Sequence, residues 1–199
     1  ASAVPLAITV VEPRERVGME MMNLLGLPDP APTVQRMAQL GVLAVVLPEA
    51  DPAALAALVT EERRQSVAPD ALRRLAALLP AEVPLAEAVA SRFRLSGAQK
   101  KRLALAAGRD GAPDDPRALA YRLGREGALD RLLLASESVA ALDGWEIPAF
   151  PLKGGEIVAR GIKAGPEVAR VLRSVEARWV SEGFPGETRV SELLDEALN

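Results

Sequence analysis

Neither histidine nor cysteine occurs among the 199 residues. Without imidazole or thiolate there is no zinc finger, no histidine-based metal hydrolase and no Ser-His-Asp or Cys-His nucleophile pair. Carboxylates could still hold magnesium, so composition alone leaves phosphoryl chemistry open. The lack of cysteine fits a reducing cytoplasm, the expected location. Aromatic residues make up only 3% of the chain, so the core must be built from Leu, Val and Ala. That bias favours helices, because Ala and Leu rank among the best helix formers. Long hydrophobic runs are missing too: the longest, at 40–47 and 53–59, fall far short of the roughly 20 residues a bilayer-spanning helix needs. No charged start is followed by an apolar stretch and a small-residue cleavage site, so no signal peptide is expected. The chain begins Ala-Ser-Ala rather than with Met, which suggests an excised or processed fragment.

What is present is an apolar share of 49% against 26% charged, the balance of a folded chain long enough for one or two compact domains. The net charge of −3 and pI near 5.3 run against nucleic-acid binding, which needs clustered Lys and Arg. The distribution is uneven, however. Arg92, Arg94, Lys100, Lys101 and Arg102 form the densest basic stretch, with no carboxylate among them.

Helical periodicity dominates, punctuated by Pro and Gly. The spacing of Val17, Met21, Leu24 and Leu25 predicts a helix from Arg14 to Leu25, with Pro13 at its start. Pro28-Asp29-Pro30 breaks it, and a second helix runs to about Leu40. An apolar turn through Val42, Leu43, Val46 and Leu47 follows, stopped by Pro48. Asp51-Pro52 and Pro69-Asp70 open two more helices, the latter with Leu72, Leu75, Leu78 and Leu79 inward. Ser96-Gly97-Ala98-Gln99 reads as a capping box, and Asp115-Pro116 as another helix start. Leu129, Leu132, Leu133, Ser136 and Val139 mark a further helix ended by Gly144. Pro148 and Pro151 make residues 145–152 a joint. From Gly165-Pro166 a long helix carries Val168, Val171, Leu172, Val175 and Trp179 on one stripe. The expected fold is all-α, a multi-helix array, with no fixed repeat and no low-complexity tract.

Two stretches go beyond generic helix. One is Glu15-Arg16-Val17-Gly18-Met19-Glu20-Met21, then Leu24-Leu25, the Pro28-Asp29-Pro30 break, and Gly41-Val42-Leu43 to Leu47-Pro48-Glu49. It resembles the neck of tRNA nucleotidyltransferases and bacterial poly(A) polymerases. The other is Phe150-Pro151-Leu152-Lys153-Gly154-Gly155-Glu156 with Gly161 to Val168, Leu172 and Trp179, similar to the C-terminal signature of the same family. Glu156 stands where the family usually has Asp, and Ala169 where it has Gly. The family's catalytic head, with its Gly-Ser turn, paired metal-binding aspartates and Arg-Arg-Asp segment, has no counterpart here.

The resemblance implies a body and tail of the class II nucleotidyltransferase type: residues 1–27 a neck-end helix, 28–144 a helical body, and 145–199 a C-terminal tail. It implies a grip on tRNA or other RNA through phosphates and 2′-hydroxyls. Mg²⁺ with ATP or CTP would belong to a covalently attached N-terminal head, and no membrane is involved. No catalytic residue, cofactor or metal site is expected in these residues. The expected RNA contacts are Arg92, Arg94, Lys100, Lys101 and Arg102, extended by Lys153, Lys163, Arg170 and Arg173. Glu15, Arg16 and Glu20 would support the neck, Arg16 and Glu20 being spaced to pair on one helix face. The competing reading of each set is a solvated helix face, and of the whole chain a stand-alone protein-interaction module. Arg117, Arg122, Arg125 and Arg131, interrupted by Glu126 and Asp130, read as ordinary surface, and Trp179 as core rather than as a base-stacking platform.

Overall fold

The computed structural model describes residues 14–109 and 115–198, with side chains from Arg16 onward. These residues form an all-α array: α1 (Arg14–Leu25), α2 (Ala31–Gln39), α3 (Val42–Val46), α4 (Pro52–Arg64), α5 (Ala71–Leu78), α6 (Val83–Arg92), α7 (Gly97–Ala107), α8 (Pro116–Leu134), α9 (Gly154–Ala159), α10 (Pro166–Ser181) and α11 (Glu187–Leu198). No strand occurs among the described residues. No helix there is long and apolar enough to cross a membrane. The helix starts follow local chemistry. Asp51 Oδ1 accepts from Ala53 N, Asp70 Oδ1 from Arg73 N, and Asp115 Oδ1 from Arg117 N and Ala118 N. Each such cap is worth about 1 kcal/mol. At α7 the capping box closes both ways, Gln99 N donating to Ser96 Oγ at 3.3 Å and Ser96 N to Gln99 Oε1 at 2.9 Å.

Two compact units emerge. The first holds residues 14–109 together with 129–139, the second 115–128 together with 140–198. The first has a core of Met21, Leu25, Val34, Leu43, Leu47, Leu55, Leu75, Leu78, Val89, Phe93 and Leu103, contributed by α1 to α7. Helix α1 lies against α5 and α6. Its Gly18 makes that approach possible: a Cβ there would stand 2.7 Å from both Cα and O of Phe93. Gly18→Ala is therefore expected to destabilise this unit by about 1–3 kcal/mol, the usual range for forced overpacking. A chemical-denaturation midpoint unchanged from the parent would contradict the close approach.

The second unit is built around Ile157, Val171, Val175, Trp179, Val190, Leu193 and Leu194, where α10 packs on α9 and α11. It also gathers five of the six aromatic residues. Trp179 lies 4.9 Å from Phe184, 5.2 Å from Phe150 and 5.6 Å from Tyr121, and Trp145 lies 5.4 Å from Phe184. The sixth, Phe93, is buried in the first unit.

The structure adds three helices that the sequence reading did not name, α6, α9 and α11, and departs from it in one element that it did name. Leu129 to Val139 do not form a separate helix ending at Gly144. Leu129 to Leu134 are instead the end of α8, which begins at Pro116 and is broken at Gly124 (φ 77, ψ 164). Only glycine holds that conformation without strain. The helix stops at Leu134 because Ser136 takes a left-handed φ of 56°, and Ala140–Leu142 form a short 3-10 turn.

Candidate nucleic-acid interface

The basic stretch read from the sequence is a helical hairpin. α6 ends at Arg92, and Arg94 takes a left-handed φ of 51°. That lets Leu95 N reach back to Ala90 O at 2.9 Å, before Ser96 caps α7. Phe93 and Leu95 turn inward, leaving Arg94 exposed at the tip.

The five cations of this stretch separate into two kinds. Arg92 makes a two-pronged pair with Glu49, at 3.0 and 2.8 Å. The hydrogen bonds from Arg92, working against burial, hold the Glu49 carboxyl below its ordinary range. Arg102 turns inward: its Nε and Nη2 reach Asp130 at 2.7 and 2.8 Å, and Nη2 reaches Asp70 at 3.0 Å. Hydrogen bonding to Asp130, opposed by burial, holds the Arg102 guanidinium still more firmly protonated than usual. Lys101, by contrast, is exposed, and Lys100 is half-buried, its Nζ lying 3.5 Å from Ser91 Oγ.

Behind Arg102 lies a charge cluster that the sequence reading missed. Arg73, Arg74, Glu62 and Asp130 are all at most 4% exposed. Arg73 bridges Glu62 and Asp130, each at 2.9 Å, and Arg74 holds the other oxygen of Glu62 at 2.9 Å. With Arg102 and Asp70, three guanidiniums face three carboxylates. Burial opposes ionisation of Asp70, yet the Arg73 backbone N–H and the Arg102 guanidinium overcome it and lower its pKa. Arg74 also donates to the carbonyls of Leu25 (2.8 Å), Leu27 and Pro28 (3.4 Å). It thereby satisfies acceptors left open where α1 ends and the chain breaks toward α2. Two arginines inside the apolar run Ala71–Leu79 were the available signal. Nothing in the sequence pairs them with Glu62 and Asp130.

Helices α6 and α7 enclose a groove of ≈ 730 Å³ lined by Val83, Glu87, Ser91, Lys100, Lys101, Ala104, Leu105, Gly108 and Arg131. A second groove, of ≈ 380 Å³, lies along α1 between Arg16 and Glu20 and is floored by Val17, Met21, Leu24, Met37 and Val46. Arg16 and Glu20 are exposed at its rim. The side chain of Glu15, like Pro13, lies outside the described residues.

In the second unit Lys153 is exposed at the start of α9, and Lys163 is exposed in the turn before α10. Arg173 is exposed on α10, and Arg170 pairs with Glu167. Trp179 is core, 2% exposed, its Nε1 donating to Pro185 O at 2.8 Å. Trp145 is half-buried between Phe184 and the Arg117 guanidinium, 5.6 Å from its ring centre. Burial and the bond to Glu176 push the Tyr121 hydroxyl up to about 12. Among the described residues no group of three or more acidic side chains is placed to hold a metal ion.

No curated protein matches the chain. Residues 11–54, which run from the approach to α1 into the start of α4, match the family model described as "Probable RNA and SrmB-binding site of polymerase A". That match supports the resemblance read from the sequence, to the C-terminal region of poly(A) polymerases and tRNA nucleotidyltransferases.

Proposed function

We propose that this chain is the RNA-gripping region of a polymerase A-type nucleotidyltransferase. In this reading it holds a folded RNA of the tRNA class while a catalytic head in the same polypeptide extends the 3′ end. Its role is positioning, which lowers the entropic part of the barrier without supplying a reacting group. The observation that carries the reading is the match of residues 11–54 to the RNA-binding segment of polymerase A. Supporting it, Gly18 brings α1 of that segment against Phe93, in the turn that leads from α6 to the cations at the start of α7. Lys100 and Lys101 are the first phosphate contacts expected in the first unit, with Arg94; in the second unit the expected contacts are Lys153, Lys163, Arg170 and Arg173. Arg92 and Arg102 contribute by shaping the hairpin through their carboxylate partners.

Two results are expected from one preparation. The chain binds tRNA with an affinity that falls as salt rises. It also incorporates no labelled AMP or CMP when incubated with tRNA, ATP or CTP and Mg²⁺. Incorporation well above a no-protein control would overturn the positioning role. Absence of tRNA binding even at low salt would overturn the RNA reading.

A second reading, a protein-docking module, draws on a specific observation. Met19, Leu40, Val42 and Val45 are exposed on α1 to α3, Val45 by 85%, and the matched family's description names SrmB beside RNA. A chain that ignores tRNA would leave this reading standing.

A further inference from the structure

We infer that the groove between α6 and α7 binds one strand of an RNA backbone, with separate phosphates on Lys101 and Arg131 and the sugars between them on the apolar floor. The inference rests on the RNA reading above and adds to it the site, a residue set aside as ordinary surface, and the part of the RNA that is held.

Three observations carry it. First, the charge on the lining is lopsided. Lys100, Lys101 and Arg131 stand against the single carboxylate of Glu87. Among the described residues none of the three cations forms an ion pair with a carboxylate: Lys100 reaches Ser91 Oγ at 3.5 Å, and Arg131 Nε donates to Leu105 O at 2.7 Å. A carbonyl orients a guanidinium without cancelling its charge. Elsewhere in the same unit Arg63, Arg64, Arg73, Arg74, Arg92 and Arg102 all sit on carboxylates. The groove therefore keeps a net positive charge in an acidic chain.

Second, the spacing suits a repeating anion. Lys101, Leu105 and the C-cap Gly108 follow one another along one face of α7, and Arg131, bonded through Nε to the Leu105 carbonyl, reaches Gly108, where an added Cβ would stand 3.4 Å from its Nη2. Seven residues of helix rise about 10 Å, which sets the two cations far enough apart to hold separate phosphates of one RNA strand. Val83, Ala104 and Leu105 supply an apolar floor between the two cations, suited to a sugar rather than to a charge.

Third, the groove has no aromatic side chain in its lining. Sequence-tolerant stacking of bases needs such rings, so what remains is contact with the backbone. Binding here is accordingly indifferent to base identity.

The test uses the whole chain and fluorescently labelled oligo(A) and oligo(U) of equal length, with folded tRNA as a third probe, titrated over a range of salt. The parent is expected to bind oligo(A) and oligo(U) alike. Lys101→Ala and Arg131→Gln are each expected to weaken binding roughly tenfold and to flatten the slope of log affinity against log salt by about 0.7 on single strands. Glu87→Gln, an exposed change that removes the opposing charge, is expected to tighten binding. Arg64→Ala, which removes an exposed cation on α4, controls for net charge and is expected to leave the slope unchanged. Arg131→Gln could disturb the fold through Leu105, so Lys101→Ala and Glu87→Gln decide the matter where circular dichroism shows such a change. Parental affinity and slope in those two variants would overturn the groove while leaving the RNA reading in place. Strong preference for one homopolymer would overturn the backbone contact. No binding of any probe by the parent would overturn both.

Discussion

Asp130→Asn is expected to lower the unfolding free energy of the first unit by about 3–5 kcal/mol, the usual cost of breaking a buried ion pair from one side. The carboxylate is 1% exposed and accepts from Arg73 Nε at 2.9 Å and from Arg102 Nε and Nη2 at 2.7 and 2.8 Å. Asparagine keeps the volume but removes the charge, and it turns one acceptor into a donor facing guanidinium N–H groups that cannot accept. Arg73, 4% exposed, then keeps the Glu62 carboxylate and the Ala68 carbonyl at 3.3 Å but loses its second carboxylate. Urea denaturation followed by helical ellipticity measures the change. A loss under about 1 kcal/mol would mean that water enters the cluster and solvates it. Acid should act in the same direction through Asp70. Its pKa is depressed in the folded chain, so its contribution is complete above the ordinary value of 3.8 and disappears as pH falls through the lower folded value.

Trp179→Ala is expected to cost the second unit about 3–5 kcal/mol, as large-to-alanine changes in a packed core do. The indole is 2% exposed and within 5.6 Å, centre to centre, of Tyr121, Phe150 and Phe184. Its removal opens a cavity at the meeting point of those rings and strands the carbonyl of Pro185, which accepts its N–H at 2.8 Å. Native-state hydrogen exchange separates this loss from a general one. Amides of α10 and α11 should exchange faster, while those of α5 keep their protection. Uniform acceleration across both helical units would contradict the separation of their cores.

How much of this could be read from the sequence depended on the range of the interaction involved. The bounds of α1, the capping box at Ser96 and the start of α10 at Gly165-Pro166 are set by residues a few positions apart, and each appears as expected. The inward stripe of Val171, Val175 and Trp179 follows from helical period alone. The end of α8 was misread because Leu129, Leu132 and Leu133 continue a helical spacing through Val139, while the left-handed Ser136 interrupts it without any Gly or Pro to announce the stop. Arg73 and Arg74 flank inward leucines and look like a surface pair. They are interior because their partners come from residues 11 to 57 positions away. The same distance hid the division of labour in the basic stretch: Arg102 is drawn inward by Asp130, and Arg92 is held by Glu49. The four-residue rule that places Lys101 and Leu105 on one face says nothing about Arg131 arriving beside them from another helix.

The segment 129–139 belongs to the first unit, although 115–128 before it and 140–198 after it belong to the second. The polypeptide thus leaves one module, enters the other, returns and departs again, so neither can be excised with a single cut. A gene truncated after residue 128 would encode a first unit without Asp130, leaving Arg73 and Arg102 facing an empty position, and without Arg131 at the groove. One truncated after residue 139 would keep both modules' shared helix but expose the remnant of the second. Shuffling of these two pieces by recombination is accordingly penalised at every junction between them, and they are expected to be inherited together.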